Sequence, residues 1–280
     1  MSRVYLNKTD LINIRDQRDM IRDVTDFSEQ RDLTGQPQSR YKLSIHANGL
    51  HVQLLEHLGL AIITGELASG FVVRIDELES KYGVSRSVVR EAVRVLASMG
   101  MVASRKRVGI KVLPAEEWNL YDPQVIRWRL ASADRIPQLR SLTELRTAIE
   151  PEAARLAAVR ATPSGAGELM GLAGKLWAAG KAGDMESFLR LDVKFHRLIL
   201  SSSGNEMFGK LHTLVDAVLA GRTQYGLMPQ YPPEEALQTH MDVASAIQRR
   251  DPDGAHDGTL RIVQRALREM STVWEQGSVE

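Results

Sequence analysis

Cysteine is absent from the 280 residues. That excludes a disulfide framework and any cysteine-based zinc finger, and it suits a reducing cytoplasm. No apolar run approaches the roughly 20 residues that a membrane span requires, so no membrane partner is expected. A secretory signal is also lacking: Leu11, Ile12 and Ile14, near the start, sit among charges. Nor does one sign of charge dominate. Lys and Arg number 36 against 35 Asp and Glu, a net charge of +1. The chain as a whole therefore carries no electrostatic sign of a nucleic-acid partner.

What is present is size, apolar content and a local charge surplus. A chain of 280 residues, 43% hydrophobic, exceeds what one core usually needs, so two domains are expected. Between Arg86 and Lys111 stand seven basic residues (Arg86, Arg90, Arg94, Arg105, Lys106, Arg107, Lys111) against one acid, Glu91. Such a surplus can neutralise phosphates over a compact surface; a solvated charged face is the plainer alternative.

The pattern divides the chain in three. Residues 1–46 mix charges of both signs densely and end in a Gly/Pro/Gln/Ser stretch, Gly35 to Ser39, which reads as a flexible tail. Residues 47–115 open with Leu54, Leu55, Leu58, Ala61 and Ile62 at helical spacing, ended by Gly65. A short helix, Glu77 to Tyr82, capped by Asp76, stops at Gly83. Ser85 caps another, which carries Val88, Val89, Ala92, Val93, Leu96 and Met99 to Gly100. Two short apolar stretches, Met101 to Ala103 and Ile110 to Leu113, joined by a basic link, read as a β-hairpin. Residues 116–280 are almost entirely helical in pattern, with segments near 137–161, 164–182, 184–202, 205–226, 234–250 and 252–275. Short connections favour antiparallel neighbours and hence a bundle; Pro151 should kink or divide the first segment. The fold class is thus mainly α: an N-terminal winged helix-turn-helix followed by an all-α antiparallel helical bundle.

Helix, turn at Gly83-Val84 and helix make the helix-turn-helix, whose second helix reads the major groove with its N-terminal residues. Here those are Ser85, Arg86, Ser87 and Arg90. Arg86 and Arg90, four apart, share a face opposite the apolar residues, and arginine suits guanine O6 and N7. Ser85 and Ser87 suit phosphate. Arg105, Lys106 and Arg107 at the hairpin tip would reach the flanking backbone, with Gly109 allowing close approach to the duplex.

The run Tyr82-Gly-Val-Ser-Arg-Ser-Val-Val-Arg-Glu-Ala-Val-Arg-Val-Leu96, followed by Met99-Gly-Met-Val102, closely resembles the motif of the GntR superfamily of bacterial repressors and activators. The resemblance implies that Arg86 and Arg90 contact bases and that Gly109 is the wing glycine. Asp76 stands where that family often has an arginine, so one contact is absent or comes from elsewhere, Arg74 being a candidate.

Farther along, Asp192 and His196 are four apart and can meet one metal ion, and His240 lies on a later helix that could face them. The stretches Trp118 to Trp128, Glu144 to Ala158, Asp192 to Leu198 and Ser203-Gly-Asn205 resemble the FadR subfamily, whose effector domain, the FCD domain, is a helical bundle around a ligand cavity. The resemblance implies a divalent metal, zinc or similar, held by one Asp and three His. Asp192, His196 and His240 match three of these; Ile262 stands at the fourth, and His256, about 240° away around a helix, cannot replace it. Arg146 interrupts an apolar face and resembles a cavity arginine of the subfamily; an ion pair with Glu150 is an equal alternative. Arg222 and Gln224 are further candidates for the effector cavity.

Together these imply a cytoplasmic transcription regulator, a repressor by keyword. It would bind palindromic operator DNA as a homodimer under control of a small organic acid such as gluconate or galactonate. The alternative is a metal-dependent helical hydrolase fused to a DNA-binding domain, with Asp192, His196 and His240 holding a catalytic ion.

Overall fold

The computed structural model describes residues 49–105 and 108–276, with side chains as far as Met270. The expected tail, 1–46, lies outside the described residues. The chain forms two compact units divided between Asn119 and Leu120, rather than at 115/116. The stretch before the division belongs with the first unit because the Asn119 amide donates to the Met99 carbonyl and the Trp118 indole to the Leu113 carbonyl.

In the first unit, α1 (Leu50–Ile63) buries Leu54, Leu55, Leu58, Ala61 and Ile62. It packs against α3 (Arg86–Ser98). α2 (Ile75–Tyr82) precedes α3 across a tight turn at Gly83, whose φ of 64° lies in the left-handed region that glycine enters freely. α3 buries Val89, Ala92, Val93 and Leu96, the i, i+3, i+4, i+7 spacing of one helix face. β1 (Val72–Val73), β2 (Val102–Arg105) and β3 (Gly109–Val112) form an antiparallel sheet in the order β1-β3-β2. Arg105 pairs with Gly109 at the turn end of the hairpin. β1 was not expected, since two residues carry no readable alternation.

Two expected caps differ. Asp76 lies inside the first turn of α2, whose N-cap is Arg74 and whose entry is closed by Glu77 accepting from the Arg74 amide at 2.9 Å. Ser85 does occupy the N-cap of α3, but its hydroxyl meets that of Ser87 at 2.9 Å instead of a helix amide.

The second unit is helical throughout its described residues: α4 (Pro123–Leu130), α5 (Arg135–Arg160), α6 (Pro163–Ala182), α7 (Met185–Ser202), α8 (Glu206–Lys210), α9 (His212–Gln224), α10 (Glu234–Gln248) and α11 (Pro252–Gln276). Long α5 packs on α11, α7 and α10. Its face of Ala153, Ala154, Ala157 and Ala158 is fully buried, and small side chains let neighbouring helices approach closely. Leu169, Ala173 and Leu176 from α6, Phe195 and Ile199 from α7, and Val243 and Ile247 from α10 complete that core.

Three expectations need correction here. Pro151 does not divide α5: it lies inside one continuous helix. It removes one backbone donor, and the buried alanines after it hold the helix together. The segment expected over 205–226 is two helices, broken at Leu211. And α4 was not anticipated, although Asp122 accepting from the Gln124 amide and Pro123 in the first turn are a readable helix start. No described helix is long and apolar enough to cross a membrane.

Candidate functional sites

The first unit presents a concave groove of about 660 Å³ between α3 and the hairpin. Burial of Val89, Ala92, Val93 and Leu96 turns the opposite face of α3 outward, so Ser85, Arg86, Ser87, Arg90 and Arg94 are all exposed. Arg74, Arg86, Arg90, Arg94 and Arg105 line the groove, with Asp76 among them. Arg74 Nε lies 3.4 Å from Asp76 Oδ1, and Arg94 donates to Glu91 at 2.6 Å. Arg74, the candidate for the contact absent at Asp76, lines the groove, and so does Arg94, which was counted in the basic surplus but given no contact of its own. Lys106 and Arg107 lie outside the described residues. Gly109 has a structural reason to be glycine: its φ is 127°, and a Cβ there would meet the Val73 carbonyl at 2.8 Å. The close approach is to the neighbouring strand.

The second unit holds a small, partly open cavity, about 50 Å³, among α5, α7, α9, α10 and α11. Arg146, Asp192, His196, Arg222, His240 and Ile262 line it. Each element brings one face inward. α7, capped by Asp184, carries Asp192 and His196 one turn apart, and α10 brings His240 opposite. Ligand-type atoms of Asp192, His196 and His240 lie within 4.8 Å of one another, and all three residues are buried. His196 Nε2 is 3.5 Å and His240 Nε2 3.3 Å from the same oxygen, Asp192 Oδ1. None of these three atoms has a hydrogen-bond partner.

The tautomers follow from the other ring nitrogens. His240 Nδ1 lies 2.9 Å from the Ala236 carbonyl, which only accepts, so Nδ1 carries a proton. His196 Nδ1 faces Glu150 Oε2. In neutral rings both Nε2 lone pairs would then point at a carboxylate, an arrangement that repels itself unless a proton or a cation lies between them. Burial pushes the His196 imidazole down, but Glu150 and Asp192 outweigh it and hold it up at about 9. Burial raises the Asp192 carboxyl, yet contacts with His196 and His240 hold it well below the usual carboxylate range. Glu150 is likewise raised by burial and brought down to about 2 by Arg146 and His196. The donor set, one carboxylate oxygen and two imidazole nitrogens, suits a divalent metal.

Arg146 donates from Nε to Glu150 Oε1 at 2.5 Å, and Arg222 donates to Glu269 at 2.7 Å. Both arginines are buried, and Arg146 Nη1 and Arg222 Nε have no hydrogen-bond partner. Burial, reinforced by the charge of Arg146, lowers the Arg222 guanidinium's pKa. So the two readings of Arg146 coexist: it is both ion-paired and cavity-lining. Gln224 is exposed and does not line the cavity; two residues after Arg222, it is turned about 200° around the helix. Ile262 does line it, and His256 instead contacts Asp257 at 2.8 Å. Arg265 and Glu269, also lining, were missed; their spacing of three and seven from Ile262 places them on its helix face and could have found them.

Two family descriptions match the sequence: bacterial regulatory proteins of the gntR family over 50–112, and the FCD domain over 141–265. The galactonate operon transcriptional repressor of Escherichia coli K12 is 28% identical over 221 residues, covering 77% of this chain and 94% of the repressor. The HTH-type transcriptional regulator YieP of the same organism is 30% identical over 183 residues, 65% of this chain and 79% of that protein. Among solved structures, that of Lar, described as controlling the Listeria monocytogenes agr system, is similar at a TM-score of 0.52 and 15% identity. The match covers 81% of this chain and 98% of that one.

Proposed function

Because the chain belongs to the GntR family of bacterial regulatory proteins and carries an FCD domain behind the winged helix-turn-helix, we propose that it is a cytoplasmic homodimeric repressor that holds a palindromic operator and answers to a small organic acid. The observation that carries the reading is the groove in which Arg86 and Arg90, exposed one turn apart on α3, face the hairpin residue Arg105. Arg86 and Arg90 read bases, and Ser85, Ser87 and Arg105 meet phosphate, with Lys106 and Arg107 adding positive charge next to Arg105 in the sequence. Two-fold symmetry of the dimer matches that of the operator.

Asp192, His196 and His240 hold a divalent metal, zinc or similar, and Arg146 and Arg222 turn their spare donors to the carboxylate of the effector. When bound, the ion supplies a fixed positive charge for an oxygen of that effector. Ile262 contributes no ligand, so one position stays open to it. Gluconate or galactonate is the favoured class, supported by the relative named for the galactonate operon and by two buried arginines suited to a carboxylate. At about 50 Å³ the cavity is far smaller than an ordinary ligand pocket of roughly 300 Å³ or more. A hydrolytic role finds little support. The lining carboxylates Asp192 and Glu269 each face a basic partner, leaving neither free to take a proton from water.

Selection of sites from randomised duplex DNA, followed by mobility-shift titration with and without galactonate and gluconate, tests the reading. A palindromic consensus whose affinity changes with one acid is expected. Recovery of no consensus, with Arg86→Ala binding as wild type, would overturn it.

A further inference from the structure

Glu150 lies within the second unit with both carboxylate oxygens committed in different directions. It is 1% exposed. Oε1 accepts from Arg146 Nε at 2.5 Å, one turn back on α5. Oε2 faces His196 Nδ1 on α7. An arginine and a carboxylate meeting only each other usually do so with two parallel hydrogen bonds. Here the pair uses one donor. Arg146 Nη1 is left with no partner on a side chain that lines the cavity, and the second oxygen is left for the imidazole. An ion pair serving stability alone has no need of that division.

The consequence lies at the far side of His196. When the ring gives up one proton to a metal, a proton kept on Nδ1 toward Glu150 leaves Nε2 as the lone-pair atom, and Nε2 is the atom beside Asp192 Oδ1. His240 reaches the same state by a different partner, the Ala236 carbonyl at 2.9 Å. The two rings thus present the same nitrogen to Asp192, one oriented by backbone and the other by Glu150. A carboxylate behind a ligating imidazole fixes its tautomer and raises its basicity.

We propose that Glu150 is a positioning residue that joins the two halves of the cavity, orienting His196 toward a metal ion with one oxygen while holding Arg146 toward the ligand with the other. It rests on the metal reading given above and extends it to a residue that touches neither metal nor ligand. The route is continuous: Arg146, Glu150, His196, Asp192. A change in how Arg146 is engaged alters the share of Glu150 available to His196, so the anion-facing and metal-facing groups are energetically coupled.

Cobalt(II) alone serves as the probe, titrated by calorimetry and by visible absorption into the full-length wild type, Glu150→Gln, Arg146→Met and the double variant, with melting temperatures recorded alongside. Glu150→Gln should weaken cobalt binding about 10- to 100-fold and alter the absorption bands. Arg146→Met should also shift cobalt affinity, and that shift should vanish in the Glu150→Gln background. A lowered melting temperature with unchanged cobalt affinity and bands in Glu150→Gln would reduce Glu150 to a structural partner of Arg146 and overturn the proposal. No cobalt uptake by the wild type would overturn the metal reading itself, and this inference with it. Should Glu150→Gln fail to fold, the imidazole nitrogen spectrum of the zinc-loaded wild type decides. The His196 proton is expected on Nδ1, and a proton on Nε2 overturns the proposal.

Discussion

Arginine does opposite things in the two units. In the first, Arg86 and Arg90 stand exposed on the outward face of α3. Keeping them there costs little, because their charge stays in water. In the second, Arg146 and Arg222 are buried and each is paired with a carboxylate, Glu150 or Glu269. Taking those charges out of water is expensive, and the pairing offsets it. The lesson is that a buried arginine that still leaves a donor without a partner is kept at a cost to stability, whereas a surface arginine is not. Changes in the two units should therefore fail in different ways: the first should lose binding with the fold intact, the second should lose the fold.

The largest effect should come from Glu150→Ala, which leaves Arg146 buried beside no carboxylate. Stability should fall by about 3–5 kcal/mol, the cost of an uncompensated buried charge, read as a lower midpoint in denaturant titration. A loss below 1 kcal/mol would mean that water reaches Arg146 and would blur the contrast between the units. Next, Arg86→Ala should weaken specific DNA binding by about 1–3 kcal/mol in a mobility-shift titration while changing stability by less than about 0.5 kcal/mol. Loss of the fold would break the contrast from the other side.

Ile262→His sharpens it further. The side chain already lines the cavity with Asp192, His196 and His240, so a histidine there should tighten zinc binding at least about tenfold, or ~1.4 kcal/mol, in a competition titration. An unchanged affinity would show that α11 does not aim that position at the cluster. The smallest effect belongs to the exposed pair Glu91–Arg94, whose side chains are 47% and 71% exposed. Glu91→Ala should shift the unfolding free energy by less than about 1 kcal/mol, against the several expected at Glu150.

The same contrast separates what was legible from what was not. The face of α3 was readable because Val89, Ala92, Val93 and Leu96 share one helical period, which leaves Arg86 and Arg90 nowhere to point but outward. Asp192 and His196 were readable as neighbours for the same reason, being one turn apart. Gln224 was not separable from Arg222 without the position of the cavity, because which face of α9 meets it depends on how that helix packs. Caps were the weakest part: Ser85 and Asp76 are both good capping types, and the choice of Arg74 for α2 came from Glu77 closing the entry from within the helix. Pro151 left a kink or a break open, because its local cost says nothing of the alanine face that follows it.

The local periodicities of the sequence were enough by themselves to define a winged helix-turn-helix, its outward arginines and a helical bundle, and the family resemblance supplied the candidate residues of the bundle. Helix faces and turns are set within a few residues, where spacing is physical distance. Tertiary structure alone decided that His240 meets Asp192 across two helices and that Ile262, Arg265 and Glu269 share their cavity. It alone brought His196 to the Glu150 that spacing already sets beside Arg146. Such contacts join residues tens of positions apart, and they exist only because the packing of apolar faces brings the helices together.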